Sequence, residues 1–198
     1  ASSSAASDVY KRQGLKRFKM NTSNVALVLI SMLISYVYVF AFLFRTFKVD
    51  YYNPIVKTSV NWLEPIPNAI FFFSSNPLLN TILISLFTKV IGAFLVLSNS
   101  YSAVFIFIIC VFDVIGFIVQ VLFFSIIGSV IMSWVSPNSD NLFFRLVNEF
   151  SDAILNPIRK FIPAMGGLDF TPIFGLILFN FLSSFVGNGF IVWQLALR

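Results

Sequence analysis

The stretch Ser133–Pro172, SWVSPNSDNLFFRLVNEFSDAILNPIRKFIPAMGGLDFTP, decides how the rest of the chain is read, because it is one long polar, turn-bearing segment with apolar sequence on both sides. Apolar residues recur within it at Phe143, Leu146, Val147, Phe150, Ile154, Ile158, Phe161 and Ile162, whereas Arg145, Asn148, Glu149, Asp152, Asn156 and Arg159 take the other side. That spacing is helical. Proline cannot donate to a helix ladder, so the pattern predicts a helix from about Asp140 to Leu155, capped by Asp140 or Asn141, and a second short turn from Pro157. An amphipathic helix between two apolar segments can lie in the headgroup plane with its apolar face down, or pack on protein alone. The first is expected here.

The flanks set the class. With 58% of 198 residues hydrophobic and only 11% charged, a water-soluble domain is excluded and a polytopic membrane protein is left. Val25–Phe44 is about 20 residues without a charge, enough at 1.5 Å per residue to cross a hydrocarbon core of about 30 Å. Leu78–Leu97 is a second such segment, interrupted by Lys89; Ala103–Val135 is a long third with Asp113 inside it; Pro172–Trp193 is the last. There is no histidine and one cysteine, Cys110, in an apolar run, so Cys/His metal sites and an internal disulfide are excluded and a buried, inert thiol is expected.

The net charge of +5 points toward an anionic partner only at first sight. Five of the 13 basic residues fall in residues 1–19, where the piece SDVYKRQ looks like translated adapter sequence ahead of a natural start at Met20. Residues 1–19 are therefore expected to be a non-native or disordered leader. Without them eight basic residues face seven acidic ones, and no charge argument for nucleic acid remains.

The two polar loops align at an offset of 88 residues, which sets Asn53 on Asn141, Lys57 on Arg145, Glu64 on Asp152, Asn68 on Asn156 and Phe73 on Phe161. Beyond the loops the offset becomes 95, pairing Pro77 with Pro172 and Gly92 with Gly187. The expected fold is an all-α membrane protein of two parallel repeats, each a span, an interfacial amphipathic helix and a span, with about four transmembrane helices. Residues 20–97 form the first repeat and 113–198 the second. Ala103–Val135 is too long for one untilted span, and the offset maps Asp113 onto Val25. The third span is accordingly expected at about Asp113–Met132 with Asp113 as its cap, and 98–112 as a connector with a short interfacial or re-entrant segment. Arg45, Lys48, Lys57, Arg145, Arg159 and Lys160 all lie in the two loops and only Arg198 opposes them, which puts both loops in the cytoplasm.

SWVSPN followed by LNPIRKFIPAMGGLDFTPI resembles the second-half signature of the YggT family of small bacterial membrane proteins, also called YlmG in Gram-positive bacteria and plastids. The resemblance extends more loosely from Met20 to the C-terminus. It implies a bacterial inner-membrane protein with roles proposed for relatives in osmotic or membrane-stress tolerance, cell division and assembly of membrane complexes. Phe71 and Phe72 stand where the second loop has Arg159 and Lys160, a departure from the family pattern.

The candidate site residues follow. Trp134, Pro157, Arg159, Lys160, Gly166, Gly167 and Asp169 form the candidate lipid or partner surface. Arg159 and Lys160 would hold lipid phosphate or merely orient the chain; Gly166 and Gly167 permit a tight turn; Asp169 or Thr171 caps the last helix, with Pro172 in its first turn. Lys89 and Asn180 are the candidate intramembrane polar residues. A buried ammonium marks a functional site by default, with Asn180, backbone carbonyls or Asp113 as its partners. Gln120 and Asn180 read as interhelical hydrogen-bond residues, and Ser183 with Gly187 as a small-residue packing face. No nucleophile with a neighbouring base and no phosphate-cradling glycine loop is present, so enzyme chemistry and a bound cofactor are not expected. The expected partners are membrane lipids, a second copy of the chain or another membrane protein. The rival function is a small oligomeric ion channel or transporter.

Overall fold

The computed structural model describes residues 22–98, 101–135, 141–162 and 169–196. Residues 1–19, Gly166 and Gly167 lie outside the described residues. Among the described residues seven helices follow one another: α1 (Thr22–Thr46), α2 (Pro54–Leu63), α3 (Pro65–Ile70), α4 (Pro77–Leu97), α5 (Ala103–Val135), α6 (Leu142–Arg159) and α7 (Thr171–Ala196). Three of them, α1, α4 and α5, are long and apolar enough to cross a membrane, and α7 carries a shorter apolar stretch, Thr171–Gly187.

Local chemistry sets the helix ends. Asn53, Asn76 and Asn141 each turn the side-chain oxygen onto the amide two residues ahead, at 3.0, 3.0 and 2.8 Å, and so start α2, α4 and α6. Proline follows the first two caps, where its missing N–H costs nothing. α1 closes with a Schellman turn, in which the amide of Val49 donates to the carbonyl of Phe44 at 3.0 Å and Lys48 takes the left-handed conformation at φ 50°. Buried Val49 supplies the apolar contact that accompanies such a turn.

The spans pair as two hairpins. Ser35 meets Ser85 and Ser31 lies against Gly92, so α1 and α4 run antiparallel. Gly116 faces Val186 and Ile126 faces Gly175, so α5 and α7 do the same. Between the hairpins Tyr36 bonds Asp113 and Phe40 packs edge-on against Phe117, one helical turn further along both helices. α1 and α5 therefore run parallel, which brings both loops to the same end of the bundle. There Asn53 donates to the carbonyl of Leu142 at 3.0 Å, the amide of Asp50 donates to Glu149 at 2.7 Å, and Arg145 pairs with Asp50 at 2.9 Å. The apolar core is richest beneath this junction, in Leu43, Phe44, Val56, Leu122, Ile126 and Phe150.

Three expectations are corrected. α5 is unbroken from Ala103 to Val135, so Asp113 is an interior residue of a long span and not its cap, and 102–112 forms no separate segment. Its run of aliphatic and aromatic residues holds nothing that would end a helix before Asp113. α6 runs through Pro157 to Arg159 as one helix. Pro157 stands in the last turn, where its missing donor deprives only the Ala153 carbonyl. The apolar face of α6 turns onto protein: Leu146, Phe150 and Leu155 are buried, with Phe150 stacked on Phe44 at 5.8 Å and Val147 packed against α5 at Gly128. Phe143 and Phe161 alone among its expected apolar residues are strongly exposed.

Candidate functional site

The charged residue inside the second apolar segment finds its partner across the bundle. Lys89 on α4 is 6% exposed and forms an ion pair with Asp113 of α5. Tyr36 of α1 joins the pair: its hydroxyl donates to Asp113 Oδ2 at 3.0 Å and accepts from Lys89 Nζ at 3.1 Å. The same ammonium lies 4.3 Å from the centre of the Tyr36 ring, which is stacked on Phe117 at 3.8 Å. Three spans are thus tied at one point. Counting 1.5 Å per residue from the turn between α4 and α5, Lys89 and Asp113 lie about 12 and 15 Å along their helices, close to the middle of a core of about 30 Å.

Asp113 is the open end of this cluster. Its carboxylate is 40% exposed and borders a groove of about 300 Å³ that Tyr36, Gly116, Phe117, Gln120 and Ser183 also line. Asn180, expected beside Lys89, is exposed on α7 and shares no bond with it among the described residues. Ser183 and Gly187 border the groove instead of packing on a neighbouring span, and a Cβ added at Gly187 would meet nothing within 4 Å among the described residues. Cys110 is buried, as expected of an apolar thiol.

The loop end holds a second constellation. Arg159 donates to Asp152 at 2.8 Å, to Asn156 at 2.9 Å and to Asp169 at 3.1 Å. The hydrogen bond to Asp152 is the main reason its guanidinium is held above the ordinary arginine value. Asp169 in turn accepts from both the hydroxyl and the amide of Thr171, the amide at 2.9 Å, and so caps α7. Those bonds, chiefly the hydroxyl's, and Arg159 after them, hold the Asp169 carboxyl below its usual value of 3.8. Arg159 is consequently a strap between α6 and the start of α7. Lys160 beside it is exposed, Pro157 is exposed in the last turn of α6, and Trp134 projects from the end of α5 at 83% exposure.

Two further groups were not singled out by the sequence. Arg45, at the end of α1, clasps both oxygens of Glu64 through Nε and Nη2. Tyr36 lies in a charge-free run where nothing marks one tyrosine over its neighbours; only the demand of a buried lysine for partners could have pointed to it.

The chain resembles known sequences over most of its length. A family model described as CCB3/YggT matches residues 108–190. An uncharacterized protein of Pseudomonas aeruginosa is 31% identical over 155 residues, which cover 74% of this chain and 79% of that relative. The uncharacterized protein YggT of Escherichia coli K12 is 30% identical over 136 residues, covering 65% and 70%. An uncharacterized protein of Haemophilus influenzae is 24% identical over 146 residues, covering 70% and 77%. No solved structure matches. The apolar helices, the SWVSPN and LNPIRKFIPAMGGLDFTPI signatures and these relatives agree: the chain belongs to the CCB3/YggT family of membrane proteins.

Proposed function

We propose that this protein is a non-enzymatic, multi-pass protein of the bacterial inner membrane that organises lipid, or assembles a membrane complex, through its loop face, with both loops in the cytoplasm. The observation that carries this reading is the crowd of large aromatic side chains left exposed where the spans enter the loops. Tyr52, Trp62, Phe72, Phe73, Trp134 and Phe161 all stand there with little protein cover. Arg45, Lys57 and Lys160 share that end of the bundle. Aromatic rings flanked by basic side chains suit the boundary between acyl chains and headgroups, and a patch of this kind also suits a membrane-protein partner. Osmotic or membrane-stress sensitivity is the phenotype such a role implies for loss of the protein.

Depth-resolved quenching tests it. The chain has three tryptophans, and with Trp193→Phe only Trp62 and Trp134 report. In vesicles, bromines placed near the headgroup end of the acyl chains are expected to quench strongly and bromines at the chain ends weakly. Equal quenching at all depths, or none, overturns the reading.

One observation favours a second reading, a small oligomeric channel or transporter. The Lys89, Tyr36 and Asp113 cluster sits at mid-depth and opens on a groove with further polar side chains. Ion flux in proteoliposomes that changes with Lys89→Ala would establish it. No flux above empty liposomes, across K⁺, Na⁺ and H⁺ gradients, would dismiss it.

A further inference from the structure

On the loop face of the first half, the end of α1, the turn at Tyr51 and the junction of α2 with α3 border an open surface cavity of about 420 Å³. Its polar lining is Arg45, Tyr51, Asn61, Glu64 and Asn68. The way these side chains use their atoms is uneven. Asn61 spends its oxygen on the hydroxyl of Tyr51 at 2.7 Å, and Asn68 spends its oxygen on the amide of Asn80 at 2.8 Å. Arg45 gives Nε and Nη2 to Glu64. Left without an acceptor among the described residues are the amide nitrogens of Asn61 and Asn68 and the Nη1 group of Arg45, three donors on one cavity. Beside them Glu64 keeps lone pairs that a single arginine does not exhaust.

We propose that this cavity binds the headgroup of a zwitterionic phospholipid with a primary amine. The three donors take the phosphate oxygens, and the ammonium donates to Glu64. A purely anionic headgroup would meet the Glu64 carboxylate, and a purely cationic one the Arg45 guanidinium. A headgroup with both charges satisfies both walls. The amine must carry N–H bonds, because a quaternary ammonium has none to give a carboxylate.

The lipid source follows from position. Arg45 closes an apolar run of about 20 residues, so the cavity lies where acyl chains give way to headgroups. Trp62, 77% exposed and next to Asn61 in sequence, with Ile66 exposed nearby, offers an apolar edge for the lipid tail. The inference rests on the reading that the loop face sits at headgroup level. The second half has no such site, because Arg159 takes both Asp152 and Asn156, the residues 88 positions beyond Glu64 and Asn68.

The test uses the full chain in detergent micelles and three lipids of identical acyl chains, with ethanolamine, choline or glycerol headgroups, binding being read by native mass spectrometry. The ethanolamine lipid is expected to bind about tenfold or more tightly than the other two. The double variant Asn61→Asp/Asn68→Asp keeps the oxygens that accept from Tyr51 and Asn80, removes both donors and adds negative charge. It is expected to lose that preference, whereas Asn156→Asp keeps it. If the double variant does not fold, Asn68→Asp alone is expected to reduce the preference. Equal binding of the three lipids by the native chain overturns the proposal, as does an undiminished preference in the folded variant. Competition by inorganic phosphate or glycerophosphoethanolamine as strong as by the lipid overturns the membrane source. Tryptophan quenching by brominated lipid separates the two levels. Quenching at headgroup depth without headgroup preference removes the cavity assignment alone, whereas absent quenching removes the underlying reading with it.

Discussion

Glu64 and Asp152 lie 88 positions apart in the two loops and both hold an arginine, but the arginines come from opposite directions. Arg45 reaches Glu64 from 19 residues earlier, at the end of the span that leads into the loop. Arg159 reaches Asp152 from seven residues later and continues to Asp169, at the start of the span that leads out. The first loop is thus anchored backward and the second forward. The helices differ to match. Pro65 and Pro67 split the first loop into α2 and α3, whereas α6 is one helix of 18 residues because its proline falls in the last turn. Each loop thus holds its carboxylate with an arginine, but from the opposite side. The supplier then decides what stays open: a cavity in the first loop, a closed strap in the second.

The largest effect on this two-sided arrangement is expected where the halves join. Asp113→Leu would leave Lys89 charged and unpaired in the bundle interior, a loss of about 3–5 kcal/mol. Adding Lys89→Met is expected to restore most of it, since the apolar pair removes both charges together. Unfolding in mixed micelles, followed as a double-mutant cycle, measures this. Additive losses in the double variant would mean that the two side chains do not act as a pair.

A smaller effect separates the hairpins. Gly92 and Gly187 share a place in the offset of 95, yet a Cβ at Gly92 would run into the Ser31 side chain, while one at Gly187 would meet nothing within 4 Å among the described residues. Gly92→Ala forces α1 and α4 apart and is expected to cost about 1–3 kcal/mol. Gly187→Ala is expected to change stability by less than about 0.5 kcal/mol. Equal effects at both positions would remove the distinction between a packed first hairpin and an open second one.

Much of this was legible in the sequence, and its gaps have physical causes. Uninterrupted apolar length gave the spans, because a bilayer imposes it. The asparagine caps were readable at Asn141 from local chemistry alone. Asp113 was misplaced because an offset between loops says nothing about where a continuous apolar run begins its helix. Asp113 was among the partners read for Lys89, and measuring from the turn between α4 and α5 would have singled it out, since neighbouring antiparallel helices bring residues at similar distances from it together. Arg159 read as a lipid-facing or orienting charge because Asp152, seven residues earlier on the same face of α6, lies beyond the three- and four-residue spacing of neighbouring helical pairs, and Asp169, ten residues on, lies past the end of the helix.

The mildest intervention acts on the forward anchor of the second loop and is read through pH. The Asp169 carboxyl is held below 3.8 in the folded chain, first by Thr171 and then by Arg159. A depressed carboxylate stabilises the fold above its unfolded value and ceases to do so as pH falls through the lower folded value. The strap is therefore intact at neutral pH and lost only below about 3.8. Because Arg159 and Asp169 are each more than a third exposed, solvent screens the pair, and the contribution is expected to stay under about 1 kcal/mol. Asp169→Asn should accordingly lower stability slightly at pH 7 and flatten the loss of stability as pH falls below about 4. Glu64→Gln acts on the backward anchor, which shares no bond with Arg159 or Asp169 among the described residues, and is expected to lower stability at pH 7 independently of the strap. If the losses at pH 7 from Asp169→Asn and Glu64→Gln failed to add in the double variant, the two loops would be coupled through one electrostatic network, and the contrast between a backward and a forward anchor would be one of geometry without consequence for stability.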